Sequence, residues 1–141
     1  MQLELITLSG VKVDQAVYEV SIPTVEGEIS VFPGHEPLVA IAVVGAISVR
    51  HNKNDPDEKL EYFAISGGVV QINGNLVKVL VDEAEHGDDI IEAESKAALE
   101  RAIALRDNAS SQLELERAHQ LVDRHTVRLK VAGLRRRHYR R

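Results

Sequence analysis

The strongest constraint on this chain is a change of hydrophobic period near Ala84. Before it, QLELITL, KVDQAVYEVSIPT, GEISVF, LVAIAVV, GAISVRH, KLEYFAISG, GVVQING and NLVKVLVDE are short runs rich in Val and Ile. Several alternate apolar and polar at period two, the signature of a strand with one buried face. GAISVRH, for example, puts Ile47 and Val49 on one face and Ala46, Ser48 and Arg50 on the other. Ser9-Gly10, Glu26-Gly27, Pro33-Gly34 and Gly67-Gly68 punctuate the runs, and Asn73-Gly74 reads as a tight hairpin. HNKNDPDEK reads as a longer polar hairpin loop. Many short strands at close spacing predict an antiparallel β-sandwich or barrel.

After Ala84 the period becomes helical. EHGDD is a polar joint, and IIEAESKAALERAIALRD then has neither Gly nor Pro. Asp89 and Glu92 have the spacing of a capping box. Ile91, Ala98, Ala102 and Leu105 form a thin apolar stripe with alanine at its centre. NASSQ breaks the pattern, and Ser111 with Glu114 predicts a second helix start. Leu115, Ala118, Val122, His125 or Thr126, Leu129 and Ala132 follow at three and four, to an end near Leu134 where Gly133 weakens the helix. The expected architecture is a β-sandwich over residues 1–86 followed by a two-helix hairpin over residues 87–141. An alanine-rich seam buries little apolar area, so the hairpin is expected at the low-stability end of the molecule.

Charge divides the chain differently. The formal net charge is −5, but residues 1–116 hold eight Lys and Arg against 21 Asp and Glu. From Arg117 onward, nine basic residues face the single acid Asp123. Cations suit a helix C-terminus, yet Arg135, Arg136, Arg137, Arg140 and Arg141 exceed what one helix dipole accounts for. An acidic partner is expected.

The 141 residues contain no cysteine, which excludes a disulfide framework, a thiolate metal site and a cysteine nucleophile. No apolar run approaches the ~20 residues of a membrane span. The N-terminus lacks the basic flank of a signal peptide. No catalytic grouping emerges. His35, in PGHEP, reads as a loop or partner-contact residue, since no second ligand recurs at metal spacing. His119 and His125 lie on different helix faces, and a structural role is expected for His125 on the seam. Neither a phosphate loop nor a nucleophile elbow occurs. DEAEHGDD lacks the spacing of a calcium loop.

The order of parts, and the stretch EGEISVFPGHEPLVAIAVVGAISV, resemble the epsilon subunit of the bacterial F-type ATP synthase. Glu26, Gly27, Pro33, Gly34, His35, Pro37, Leu38 and Gly45 fill that family's E-G…P-G-H-x-P-L…G pattern. FAISGGVVQINGNLVKVLVDEAE matches its S-G-G strand pair and the acidic turn after it. The resemblance covers the whole chain. It implies a subunit that is no enzyme by itself, rides on the central stalk, and docks against the gamma subunit and the ring of c subunits. Glu28 and the loop of Pro33, Gly34, His35, Pro37 and Leu38 resemble the ring-facing positions. The resemblance also implies a peripheral place on the cytoplasmic face of the membrane, reached only through the complex.

In this family the hairpin is regulatory: extended, it reaches the catalytic head and blocks ATP hydrolysis. The resemblance thus offers the basic tail a target in acidic loops of the beta subunits, beside the alpha subunits. Arg124, Arg128, Arg135, Arg136 and Arg137 are the expected contacts, since arginine suits bidentate carboxylate pairing. Some members bind ATP on the folded hairpin through I/L-D-x-x-R-A. Here Ile91 is kept, but Glu92, Ser95 and Lys96 stand at the aspartate, arginine and alanine positions. Losing the arginine removes a phosphate partner, so no cofactor is expected, and ATP as a regulatory ligand is doubtful. A nucleic-acid binder is the rival reading of RRRHYRR, opposed by the acidic sandwich, which repels a polyanion.

Overall fold

A computed structural model describes residues 1–139, with side chains through residue 135. Eight strands come first: β1 (Gln2–Thr7), β2 (Gly10–Ala16), β3 (Glu19–Thr24), β4 (Gly27–Val31), β5 (Leu38–Arg50), β6 (Glu61–Asn73), β7 (Leu76–Val81) and β8 (Ala84–His86). Two helices follow, α1 (Glu92–Asp107) and α2 (Gln112–Tyr139). The strands pair in the order β2-β1-β7-β6-β5-β3-β4, with β8 on β6. All pairs are antiparallel except β1 with β7.

Two long strands make this path a sandwich. LVAIAVV and GAISVRH, read as separate runs, are one 13-residue strand, and so are the two runs of β6. The first half of β5 and the second half of β6 share a layer with β7, β1 and β2. Their other halves share a layer with β3, β4 and β8. The changeover falls at glycines. Gly67 has φ of +98°, a backbone open to glycine and costly to other residues. A Cβ on Gly68 would lie 1.9 Å from the Leu80 carbonyl oxygen of β7. In β5 the register against β3 shifts between Ser21 and Thr24. There Gly45 lies against Pro23, whose ring a Cβ would meet at 2.7 Å. Proline supplies no ladder donor, so the break in pairing costs β3 little.

The core between the layers is aliphatic: Leu3, Leu5, Ile22, Ile47, Val49, Val70, Val77 and Val79 are fully or almost fully buried. Ile47 and Val49 face inward as their alternation predicts, and Phe63 supplies the aromatic bulk. The β6–β7 turn has Gly74 and Asn75 at its centre, one residue on from the sequence reading, because Asn73 pairs with Leu76. Gly74 alone carries a positive φ, +61°, which fits a type II′ turn.

The hairpin lies on the outer face of the β5–β6 layer. Val131 and Ala132 of α2 pack on Tyr62 and Ala64 of β6 and on Ile90, with Ala46 and Leu60 beside them. The main partner of α1 is α2. Three helical expectations need correction. Asp89 does not cap α1: it sits in a 3-10 turn, Gly87–Asp89, and the N-cap residue is Ile91, with no side-chain bond. The reason is the burial of Ile90, which pins an extended residue between turn and helix. The buried stripe of α1 is Ser95 and Ala102 with half-buried Ala98, while Ile91 and Leu105 are exposed. And α2 runs past Leu134 to Tyr139, since one interior glycine costs a helix only about 1 kcal/mol.

The start of α2 is close to expectation. Ser111 Oγ accepts from the Glu114 amide at 3.2 Å. The Glu114 carboxylate returns to Ser110, amide and hydroxyl both at 2.9 Å, rather than to Ser111. Those bonds, the backbone one foremost, hold the Glu114 carboxyl below its ordinary pKa.

Candidate functional site

Arginines on one face of α2 meet carboxylates on the edge of the sandwich. Arg124 pairs with Glu83 at 2.7 Å, Arg128 with Glu85 at 2.7 Å, and Arg135 with Asp88 at 2.6 Å. The acids come from the connection between β7 and β8, from β8 and from the 3-10 turn, so the turn DEAEHGDD is the dock for α2. Arg128 is the most enclosed of the three: Nε and Nη2 both donate to Glu85, and Nη1 donates to His125 Nδ1 at 3.3 Å. Three of the five arginines assigned to an external partner thus already hold internal ones. The side chains of Arg136 and Arg137 lie outside the described residues, as do Arg140 and Arg141.

Below this row lies a second polar cluster. The Glu61 carboxylate accepts from His86 Nε2 at 2.6 Å and from His51 Nε2. His86 Nδ1 accepts the Asp88 amide at 2.9 Å, which closes the 3-10 turn, and its ring meets Phe63 edge-on at 4.9 Å. Burial raises the Glu61 pKa, but the two histidine bonds outweigh it and leave the carboxyl below its ordinary value. Glu61 therefore ties the mouth of the β5–β6 hairpin to the joint with α1. Nearby, Arg50 bonds Glu19 at 2.9 Å, Asp57 at 2.6 Å and the Asp55 carbonyl, which orders the polar loop.

The opposite layer shows a different surface. Ile41, Val69, Leu80, Ile6 and Val11 are successive register partners across β5, β6, β7, β1 and β2. They point away from the core. Val11 is 63% exposed, Ile41 58%, and Val69 and Leu80 more than a third. With strands ~4.8 Å apart, the row is roughly 19 Å long. The hairpin covers the outer face of the other layer and leaves this one open. Sequence reading missed the row, because its members come from five strands and only pairing aligns them. The signal was there in LVAIAVV, which is too apolar for a strand with one wet face.

The P-G-H segment forms a type II turn. Pro33 and Gly34 are its central residues, Gly34 at φ +85°, and the His35 amide bonds the Phe32 carbonyl at 3.2 Å. His35 Nδ1 bonds the Glu36 carbonyl oxygen at 2.7 Å. Pro33, Gly34, Pro37 and Leu38 are exposed around a half-buried His35. Glu28 is exposed too, but it lies near the other end of β4 and is a strand residue, not part of that loop. The positions compared with the ATP motif do not converge. Ile91, Glu92 and Lys96 are exposed, whereas Ser95 is fully buried against α2, with no partner for its hydroxyl. Among the described residues no group of three or more His, Asp or Glu is placed to hold a metal ion.

An apolar sheet face on one side and a charge-held helix pair on the other describe a docking subunit. Comparison with known proteins narrows the class. Residues 1–87 match the family described as "ATP synthase, Delta/Epsilon chain, beta-sandwich domain". The "ATP synthase epsilon chain" of Herpetosiphon aurantiacus is 38% identical over 138 residues, 96% of each chain. A chain in the Euglena gracilis mitochondrial ATP synthase (OSCP/F1/c-ring, rotational state 1) is similar in structure, with TM-score 0.77 and 25% identity. That match covers 94% of this chain and 79% of the other. A chain of the Tetrahymena thermophila mitochondrial ATP synthase central stalk and c-ring shares the fold at TM-score 0.61 and 13% identity, over 94% and 96% of the two chains. This chain belongs to the epsilon-chain family of ATP synthase. An epsilon chain is an accessory subunit of that complex and is not catalytic by itself. No helix among the described residues is long and apolar enough to cross a membrane.

Proposed function

We propose that this chain couples rotation between the c-ring and the catalytic head as a central-stalk subunit, and that its helices inhibit ATP hydrolysis when they extend. The carrying observation is how α2 is held. Its attachment is a row of ion pairs around a small apolar patch of Val131, Ala132, Ala64 and Tyr62. Two of the three pairs are exposed and worth only about 0–1 kcal/mol each, and the shielded Arg128–Glu85 pair adds little more, so such a helix can detach without unfolding the sandwich. Detachment frees Arg124, Arg128 and Arg135 to pair with carboxylates elsewhere. On this reading Glu83, Glu85 and Asp88 stand in for acidic loops of the beta subunits, with the alpha subunits alongside.

The two units, residues 1–86 and 87–141, then divide the work. The apolar row of the open layer suits the gamma subunit, because a permanent contact favours an apolar, shape-matched surface. The turn at Pro33–Leu38 suits the c-ring: it is exposed and stiffened by Pro33 and Pro37. The protein would sit on the cytoplasmic face of the membrane, held there by the complex. Nucleic acid is disfavoured, since Arg124, Arg128 and Arg135 of α2 are paired with internal acids in the docked state and the sandwich is acidic.

The test is ATP hydrolysis and ATP synthesis by the complex rebuilt with the full chain or with a chain stopped after Asp107. Faster hydrolysis with synthesis still coupled identifies α2 as a brake. Unchanged hydrolysis removes the inhibitory role. Failure of both forms to join the complex overturns the coupling role as well.

A further inference from the structure

His125 has the environment of a proton sensor. Arg128 has donors only, so the 3.3 Å bond from its Nη1 requires a lone pair on His125 Nδ1. The geometry therefore selects the neutral imidazole with its proton on Nε2. Arg128 cannot turn away to accommodate a second proton, because Glu85 of β8 grips Nε and Nη2. Other charges surround the ring: Arg124 from α2, Arg101 from α1, and Glu85 from β8 as the sole acid among them. Burial first, and then the three arginines, hold the imidazole below its ordinary pKa, with Glu85 opposing them.

We infer that His125 makes docking of the hairpin proton-sensitive, with protonation at Nδ1 expelling Arg128 from its place and releasing α2 from the sandwich. The docked state disfavours the proton, so its advantage is complete above the ordinary imidazole value of about 6.5. It is lost as pH falls from there through the depressed docked value. One proton limits the change in the released-to-docked ratio to at most about tenfold per pH unit. If extension inhibits hydrolysis, an acidified compartment engages the brake. The device itself rests only on docking, which the isolated full-length chain reports.

The chain has no cysteine, so a dye pair can be placed at Lys53→Cys and Gln120→Cys, both exposed. Energy transfer is followed from pH 8.0 to 5.5 in the parent chain, in His125→Asn and in His125→Lys, with circular dichroism checking helix content at pH 8. The amide oxygen of His125→Asn keeps a neutral acceptor near Nδ1. The expected result is a loss of transfer on acidification in the parent, a flat docked signal in His125→Asn, and release already at pH 8 in His125→Lys. If His125→Asn titrates like the parent, the response belongs to other groups, such as the His51–Glu61–His86 cluster, and the inference fails. It fails equally if the parent stays docked throughout, or if His125→Asn is already released at pH 8.

Discussion

Two hydrogen bonds join the Arg128 guanidinium to the Glu85 carboxylate, Nε to Oε2 at 2.7 Å and Nη2 to Oε1 at 3.1 Å. The residues are 43 positions apart, on α2 and β8. Both side chains are at least two-thirds shielded, which sets this pair apart from Arg124–Glu83 and Arg135–Asp88. The fork geometry and the shielding make it the strongest of the three contacts. Arg128→Ala should therefore weaken docking of α2 by about 1–2 kcal/mol. Arg124→Ala should cost less than about 1 kcal/mol. The check is amide exchange in residues 112–135, faster in the first variant while strands β1–β7 keep their protection. Exchanging the partners, Glu85→Arg with Arg128→Glu, should restore part of the loss. No restoration would mean the pair adds nothing beyond the packing of its side chains.

Ser95 predicts a gain. Its hydroxyl is buried in the α1–α2 seam and has no hydrogen-bond partner. Ser95→Ala removes an unsatisfied polar atom and raises helix propensity, so the hairpin should be stabilised by roughly 1 kcal/mol. Slower exchange of α1 amides would show it. In the assembled enzyme the same change should favour the docked state and raise hydrolysis.

Gly68 predicts a loss. The Leu80 carbonyl oxygen stands 1.9 Å from where a Cβ would be. Gly68→Ala must push β7 away from β6 and should cost more than about 3 kcal/mol, in the range of severe core overpacking and backbone strain. Thermal unfolding of the full chain decides this. A midpoint within two degrees or so of the parent would contradict the packing.

Glu61 predicts an acid limb. Its folded carboxyl lies below the ordinary value, so it binds protons more weakly folded than unfolded. The stability it contributes is complete above the unfolded value of about 4.3 and is lost as pH falls through the folded one. Glu61→Gln should flatten that part of the stability curve and lower stability at pH 7. An unchanged acid limb in urea melts between pH 3 and 6 would count against the His51–Glu61–His86 network.

Ile41 and Val69 predict a loss of assembly without a loss of fold. Both are exposed on the open layer, and changing them to Glu should alter the isolated chain's stability by no more than about 0.5 kcal/mol each. Binding to the stalk should weaken at least tenfold if the apolar row is the docking face, as co-purification with the complex would reveal. Normal binding would move the docking face elsewhere on the sandwich.

Much of this was legible because it is local. The change of period at Ala84 separates strands from helices, since side-chain direction repeats every 2 residues in one and 3.6 in the other. Pro33-Gly34 dictates its turn, because one residue presets φ and the other tolerates a positive value. The inward set of Ile47 and Val49 follows from alternation alone. The charge imbalance of the C-terminal segment pointed to an external acidic partner, whereas Arg124, Arg128 and Arg135 pair with acids of the same chain.

The identity of those contacts was decided by tertiary structure. Glu83, Glu85 and Asp88 meet the arginines only because β8 and the 3-10 turn run alongside α2. Nothing local links residues some 40 positions apart. The buried stripe of α1 was likewise undetermined. Apolar and small residues lie around most of that helix, and it has one main neighbour, so the docking of α2 chooses Ser95 and Ala102 over Ile91 and Leu105. The apolar row from Ile41 to Val11 exists only once five strands are in register. Sequence determines what one element can do by its own geometry. Contacts between elements depend on which surfaces the rest of the chain leaves free to meet.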